Sequence, residues 1–263
     1  MKKIIAIILI LSILTSCNKM INSTKTMVIA HRGFSEIAPE NTLIAFQKAI
    51  ETGVPYFELD VHQSKDGKLM VIHDYSVNRT SSNGKTGKVN ELLLSELNDV
   101  KVGYSKKFKG IYTSEKIPTL KEALLLAKGK IKVCVEIKAK NIGDKVVKLI
   151  EELDMVNQVI VFSFHFETVK KVKALNPKIE TLFLKDNATI KTIDKALSVN
   201  LDAIGVWHKE TKFSKELMDY AHKNSIKVFT YTVNDPKRMK ELINLKLDGI
   251  ITNRPDVALK ILN

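Results

Sequence analysis

The sequence contains only two cysteines, Cys17 and Cys134, in 263 residues. If Cys17 is consumed by modification, as argued below, no disulfide can form within the chain, and its stability must come from a buried core. A chain of this length with 44% apolar content can supply one. Arginine is nearly as scarce: Arg32, Arg79, Arg238 and Arg254 are the only four among 42 basic residues. The lysines are spread along the chain, with no arginine-rich stripe and no recognised nucleic-acid module. That argues against a nucleic-acid partner in spite of a net charge of +13. Attraction to anionic lipid or to a phosphate-bearing substrate accounts for such a charge better. The apolar run 4–14 falls short of the roughly 20 residues that a membrane-spanning helix needs.

That run has another reading. Lys2 and Lys3 precede it, and Leu14-Thr15-Ser16-Cys17 follows. A basic start, a short apolar stretch and small residues before a cut describe a secretory signal. Leu-Thr-Ser-Cys also resembles the lipobox of bacterial lipoproteins, which implies cleavage after residue 16 and a lipid on Cys17. The expected organisation is a signal over 1–16, lipidated Cys17 with a flexible polar tether over 17–26, and one domain over 27–263. Such a protein is exported and anchored to a bacterial membrane, with 40 basic residues against 29 acidic, or +11, after loss of Lys2 and Lys3. Ordinary secretion, with Cys17 incidental, is the alternative.

Beyond the tether, runs rich in Val, Ile and Phe alternate with amphipathic stretches to the end of the chain. Eight read as strands: 28–30, 55–61, 131–137, 158–164, 179–184, 202–206, 227–232 and 249–252. Helical patterns fall at 42–51, 142–153, 166–175, 189–199, 215–223, 236–245 and 257–262. Asp235-Pro236 has the form of a helix start with proline at the first helical position. A further strand at 68–73 follows the second after only six residues, too few for a crossover, and Lys65-Asp66-Gly67 is a turn signal. It is expected to fold back as an antiparallel arm. Eight remaining strands joined by helices predict an α/β fold, a (β/α)8 TIM-type barrel, with a long irregular insertion over 75–118 after the second barrel strand. The insertion is expected to carry one short helical piece, 90–97, and to shape access to the site.

Barrel enzymes place their catalysts at the C-terminal ends of the strands. His31 and Arg32 follow the first strand at once. Glu58 and Asp60 are two apart on the second and share a face, while Phe57, Leu59 and Val61 take the other. The apolar set must meet the helices, so the carboxylates face the barrel mouth. Glu136 and Lys138 repeat the arrangement on the third strand, and the arm returns His73 toward the same mouth. Three converging carboxylates repel one another unless a cation sits among them, and an all-oxygen set favours Ca²⁺ or Mg²⁺ over zinc. Arg32 offers a planar fork suited to phosphate. His62, His165, Trp207 and His208 lie near strand ends without an assigned role, and Arg238 reads as surface.

His31-Arg32-Gly33, Pro39-Glu40-Asn41-Thr42, Glu58-Leu59-Asp60-Val61, Lys65-Asp66-Gly67, His73-Asp74, Ile117-Pro118-Thr119-Leu120, Glu136-Ile137-Lys138, Thr232-Val233-Asn234 and Asp248 to Pro255 together resemble the motif series of the bacterial glycerophosphodiester phosphodiesterases. The resemblance runs in order over nearly the whole mature chain. It implies hydrolysis of glycerophosphodiesters to an alcohol and glycerol 3-phosphate with one divalent cation, Ca²⁺ or Mg²⁺. It further implies that Glu58, Asp60 and Glu136 hold the metal, that His31 and His73 form a general acid/base pair, and that Arg32 and Lys138 bind phosphate. The attack of the glycerol 2-hydroxyl, giving a cyclic phosphate that water opens, is implied in the same way. Two positions depart from the family pattern. Tyr231 stands where tryptophan is common and is expected to line the pocket against the glycerol backbone. Asn253 stands where aspartate is common and is expected to affect a structural hydrogen bond alone. Lysophospholipids, a glycerol-phosphate polymer, or a non-catalytic role in phosphodiester capture remain alternatives.

Overall fold

The structure is a computed structural model that describes residues 26–263. The signal, Cys17 and all of the tether but Thr26 lie outside the described residues.

Nine strands form a single sheet: β1 (Met27–Ala30), β2 (Tyr56–Gln63), β3 (Leu69–Val71), β4 (Lys132–Ile137), β5 (Val159–Ser163), β6 (Glu180–Lys185), β7 (Ala203–Trp207), β8 (Lys227–Tyr231) and β9 (Gly249–Thr252). β1 pairs in parallel with both β2 and β9, which closes the eight parallel strands into a barrel. β3 lies outside the closed ring, antiparallel on the end of β2, with Val61 opposite Val71 and Gln63 opposite Leu69. The arm and the TIM-type barrel are therefore both as expected.

Strand alternation divides the apolar residues into two cores. On β2, Phe57, Leu59 and Val61 are fully buried among the helices. Tyr56 points the other way, into a lumen filled by Ile29, Cys134, Ile160, Phe162, Leu182, Phe229 and Ile251. The lumen is thus a plug of packed side chains, and chemistry is confined to its rim. Cys134 is a buried free thiol within that plug.

The helices are α1 (Leu43–Glu51), α2 (Leu94–Asn98), α3 (Ser105–Phe108), α4 (Leu120–Ala127), α5 (Gly143–Glu152), α6 (Phe166–Leu175), α7 (Ile190–Leu197), α8 (Lys215–Lys223), α9 (Pro236–Asn244) and α10 (Pro255–Leu262). Among the described residues no helix is long and apolar enough to cross a membrane. α4 does not figure among the helices expected from the sequence. Its start is nonetheless encoded, because Thr119 and Glu122 form a capping box: the Thr119 amide donates to Glu122 Oε2 at 2.8 Å, and the Glu122 amide donates to Thr119 Oγ1 at 3.3 Å.

The insertion is more ordered than the sequence suggests. It carries a 3-10 turn, Val89–Glu91, together with α2 and α3, where one helical piece was expected. Met70, Ile72, Val77, Val89, Leu97, Val100, Val102 and Ile117 give it a small core of its own, anchored on the arm. It leans on the loop between β1 and α1, where Lys107 Nζ donates to the Ser35 carbonyl at 2.8 Å and the Tyr112 hydroxyl to that of Ile37 at 3.1 Å.

Candidate active site

The turn after β1 sets the geometry of one wall. Arg32 and Gly33 both adopt positive φ, 54° and 77°. A Cβ on Gly33 would lie 2.6 Å from the Ala45 backbone, so only glycine lets this turn lie against α1. The turn aims the Arg32 amide at the second strand, where it donates to Glu58 Oε2 at 2.9 Å. Asn41, also at positive φ (58°), braces the same strand: its Nδ2 donates to Asp60 Oδ2 at 2.8 Å and its Oδ1 accepts from the Asp60 amide at 3.2 Å.

Parallel pairing places Asp60 opposite Glu136 and Glu58 opposite Cys134. One ligand atom from each of Glu58, Asp60 and Glu136 lies within 4.8 Å of the others. Glu58 and Asp60 are almost fully buried, and their second oxygens, Oε1 and Oδ1, have no hydrogen-bond partner. Burial, and then the negative charge of Asp60 and Glu136, pushes the Glu58 carboxyl well up. Burial and Asp60 raise Glu136 to about 7, against the opposing pull of Lys138. For Asp60 burial is outweighed by Arg32, Lys138 and His73, which hold it down at about 2. Buried acids with orphaned oxygens, forced partly into their neutral forms, fit a hard divalent cation that would satisfy those oxygens and displace the protons. Among the described residues this is the one group of three or more such side chains.

Two cationic side chains flank the carboxylates. Arg32 sends Nη1 to Glu40 Oε1 at 2.8 Å, with Nε 3.3 Å from Asp60 Oδ2. Lys138 Nζ lies 2.8 Å from Glu136 Oε1 and 3.6 Å from Asp60 Oδ1. Both can be shared with an anionic substrate.

The two histidines are held by the same device. His31 Nδ1 lies 2.6 Å from Asn253 Oδ1, and His73 Nδ1 lies 2.7 Å from Asp74 Oδ1. Each partner oxygen accepts, so each Nδ1 carries the proton and Nε2 is left for chemistry. Burial, and then the nearby Arg32 charge, lowers His31 to about 4. Burial also lowers His73, with Asp60 opposing. Asn253 is therefore more than part of a structural hydrogen bond, because it sets the tautomer of His31. His62 also acquires a role: its Nε2 donates to the His73 carbonyl at 3.0 Å and braces the end of the arm.

His31, Glu58 and Glu136 form the polar side of a cleft whose other side is Phe162, Phe164, Leu184, Tyr231 and Ile251. Tyr231 lines it as expected, its hydroxyl held by the Lys185 carbonyl at 3.0 Å. The Tyr231 ring meets Phe164 edge-on, with centroids 5.8 Å apart, and Phe164 lies under Lys138 Nζ at 5.8 Å. Phe164 is absent from the sequence-based candidates. Its signal is the Phe162-Ser163-Phe164 alternation, which turns both aromatic rings inward. His165 starts α6 and lines a separate groove between α5 and α6. His208 and Arg238 are tied to each other, Arg238 Nη2 donating to the His208 carbonyl at 3.1 Å. Trp207 ends β7 beside Tyr231 in register and lies outside the cleft lining.

Comparison with known proteins agrees with this geometry. The profile of the Glycerophosphoryl diester phosphodiesterase family matches residues 31–257. A glycerophosphodiester phosphodiesterase of Caldanaerobacter subterraneus subsp. tengcongensis is 35% identical over 243 residues, covering 90% of this chain and 98% of the relative. One of Bacillus altitudinis is 34% identical over 250 residues, covering 90% and 98%. A phosphodiesterase of Oleispira antarctica, solved in complex with the product sn-glycerol-3-phosphate, superposes with a TM-score of 0.80 at 25% identity, covering 91% of this chain and 97% of that one. The chain belongs to the glycerophosphoryl diester phosphodiesterase family.

Proposed function

We propose that the protein hydrolyses glycerophosphodiesters to an alcohol and sn-glycerol 3-phosphate, with Ca²⁺ or Mg²⁺ held by Glu58, Asp60 and Glu136. The observation that carries this reading is the meeting of three carboxylates within 4.8 Å, two of them with orphaned oxygens, beside a histidine whose Nδ1 is already engaged. The names of the relatives and the product bound to the Oleispira antarctica protein support the same substrate class.

When bound, the cation would supply Lewis-acid stabilisation of the charge that builds on the phosphoryl oxygens. Arg32 and Lys138 bind the non-bridging oxygens and add to that stabilisation from fixed positions. His31 Nε2 takes the proton of the attacking glycerol 2-hydroxyl, a base kept neutral by burial down to about pH 4. His73, entering the step as the imidazolium with Nδ1 on Asp74, delivers its Nε2 proton to the departing alkoxide. The two then exchange roles as water opens the cyclic phosphate. Tyr231 and Phe164 give the glycerol carbons an apolar wall.

The test is release of alcohol and glycerol 3-phosphate from a panel of diesters by the domain from Asn18 onward. Turnover of glycerophosphocholine or glycerophosphoethanolamine supports the reading. Activity confined to lysophospholipids or glycerol-phosphate polymers would replace the substrate, and metal binding without any turnover would leave a capture protein. The same proposal includes export and anchoring through Cys17, supported by the order of Lys2-Lys3, the apolar run and Leu-Thr-Ser-Cys. Fatty-acid labelling that Cys17→Ala abolishes is the expected result, and labelling that persists would overturn it.

A further inference from the structure

The insertion contributes one arginine to the edge of the site, and that arginine engages two carboxylates at once. Arg79 Nε donates to Asp74 Oδ2 at 2.6 Å and Nη2 to Asp74 Oδ1 at 3.0 Å. On its other side Nη1 and Nη2 donate to Glu40 Oε2 and Oε1 at 3.0 and 2.8 Å. The remaining Nη1 hydrogen goes to the Tyr104 hydroxyl. All five donors of the guanidinium are therefore used, a pattern lysine cannot reproduce. Asp74 Oδ1 in turn accepts from His73 Nδ1 at 2.7 Å, and Glu40 Oε1 also takes Arg32 Nη1 at 2.8 Å. A continuous series of contacts thus runs from Asp60 through Arg32, Glu40, Arg79 and Asp74 to His73.

The Arg79 side chain is 41% exposed, so its ion pairs are screened and contribute little as bulk stabilisation. Its consequence is geometric. Asp74 follows the end of the arm, and its carboxylate is held by His73 Nδ1 on one side and by Arg79 on the other. Arg79 fixes both oxygens in one plane by a bidentate fork. The His62 bond to the His73 carbonyl fixes the backbone of the same residue from the other side.

We propose that Arg79 is a positioning residue for His73: by clamping Asp74 it holds the imidazole so that Nε2 meets the departing alkoxide oxygen. This rests on the reading of His73 as the group that protonates the leaving alcohol. In that step the P–O bond to the alcohol breaks, the bonding pair stays on oxygen, and the His73 proton completes the alcohol. A 4-nitrophenolate leaving group departs without that proton. Misplacing His73 therefore costs rate only where the leaving group needs protonation.

The experiment compares kcat/KM, which reports the steps through alcohol release, for glycerophosphocholine and glycerophospho-4-nitrophenol in wild type, Arg79→Gln, Arg79→Lys and His73→Ala. Thermal melting and sn-glycerol 3-phosphate binding are measured on each. The expected result is a loss of about 10²-fold on glycerophosphocholine for both Arg79 variants, shrinking to a few-fold on the nitrophenyl ester, with product binding within about twofold of wild type. His73→Ala should show the same selectivity with a larger loss. If His73→Ala is selective but the Arg79 variants lose equally on both substrates, the positioning role is overturned and the His73 assignment stands. If His73→Ala itself loses equally on both, the acid assignment falls and takes the positioning role with it. Arg79→Lys keeps the charge, so wild-type rates in that folded variant would also overturn the clamp.

Discussion

Asn253 Oδ1 accepts from His31 Nδ1 at 2.6 Å, a contact between the residues that directly follow the first and last barrel strands, 222 positions apart in the chain. It decides which nitrogen of His31 is free, and it does so with a neutral partner. A carboxylate in that place would favour the imidazolium strongly, whereas the amide, even with Asp60 and Glu40 nearby, does not offset burial and the Arg32 charge, which bring His31 down to about 4.

Asn253→Asp should therefore raise the His31 pKa by about one to three units, the range for an opposite charge at this distance. In the proposed role as base His31 works only when neutral, so the acid limb of the kcat/KM profile moves to higher pH. The profile of the variant checks this, and an unmoved limb would mean that another group controls it. The same shift governs stability. Folded His31 stays neutral to about pH 4 while the unfolded chain takes a proton near 6.5. This residue therefore makes the fold less stable as pH falls from about 6.5 towards 4.

Two of the three metal-site acids, Glu58 and Glu136, have the opposite sign. Without a cation, folded Glu58 and Glu136 hold protons that the unfolded chain would release near 4.5. The contribution of these two groups to stability declines as pH rises above about 4.5, that of Glu136 through about 7. A cation replaces those protons, so Ca²⁺ or Mg²⁺ should raise Tm more at about pH 8 than at about pH 5.5. Melting curves at both values, with and without chelator, measure it.

Gly33→Ala should destabilise the fold on the order of 3 kcal/mol and abolish turnover, because its Cβ collides with the Ala45 backbone at 2.6 Å and the turn needs φ of 77°. Denaturant unfolding checks the first part. Asn253→Ala is the contrast, expected to lose rate while keeping most of its stability.

Much of this was legible in the sequence because it depends on short periods. Glu58 and Asp60 share a face by strand alternation alone, and six residues between two strands left no room for a crossover, which returned His73 to the mouth. What was not legible depends on distant pairs. The Asn253 contact appears only once the barrel closes. Arg79 reaches Glu40 across 39 positions only once the insertion folds on its own small core. Helix α4 is a different case: its capping box, Thr119 and Glu122, is local, but Thr119 sits within the Ile117-Pro118-Thr119-Leu120 motif at the end of an irregular stretch.

That helix gives a further prediction. Thr119→Ala should cost about 1 kcal/mol by removing the cap, with kcat unchanged, since α4 packs on α1, β3 and β4 and none of its residues lines the cleft. Chemical denaturation beside turnover separates the two.

The central claim is that the three carboxylates hold a cation on which turnover depends. The most direct measurement is glycerol 3-phosphate release from glycerophosphocholine after chelation and after restoring Ca²⁺ or Mg²⁺, with Asp60→Asn alongside. The account predicts no turnover after chelation, recovery in the wild type with the metal, and none in the variant. Full turnover in chelator, or a variant that recovers as the wild type does, would contradict it.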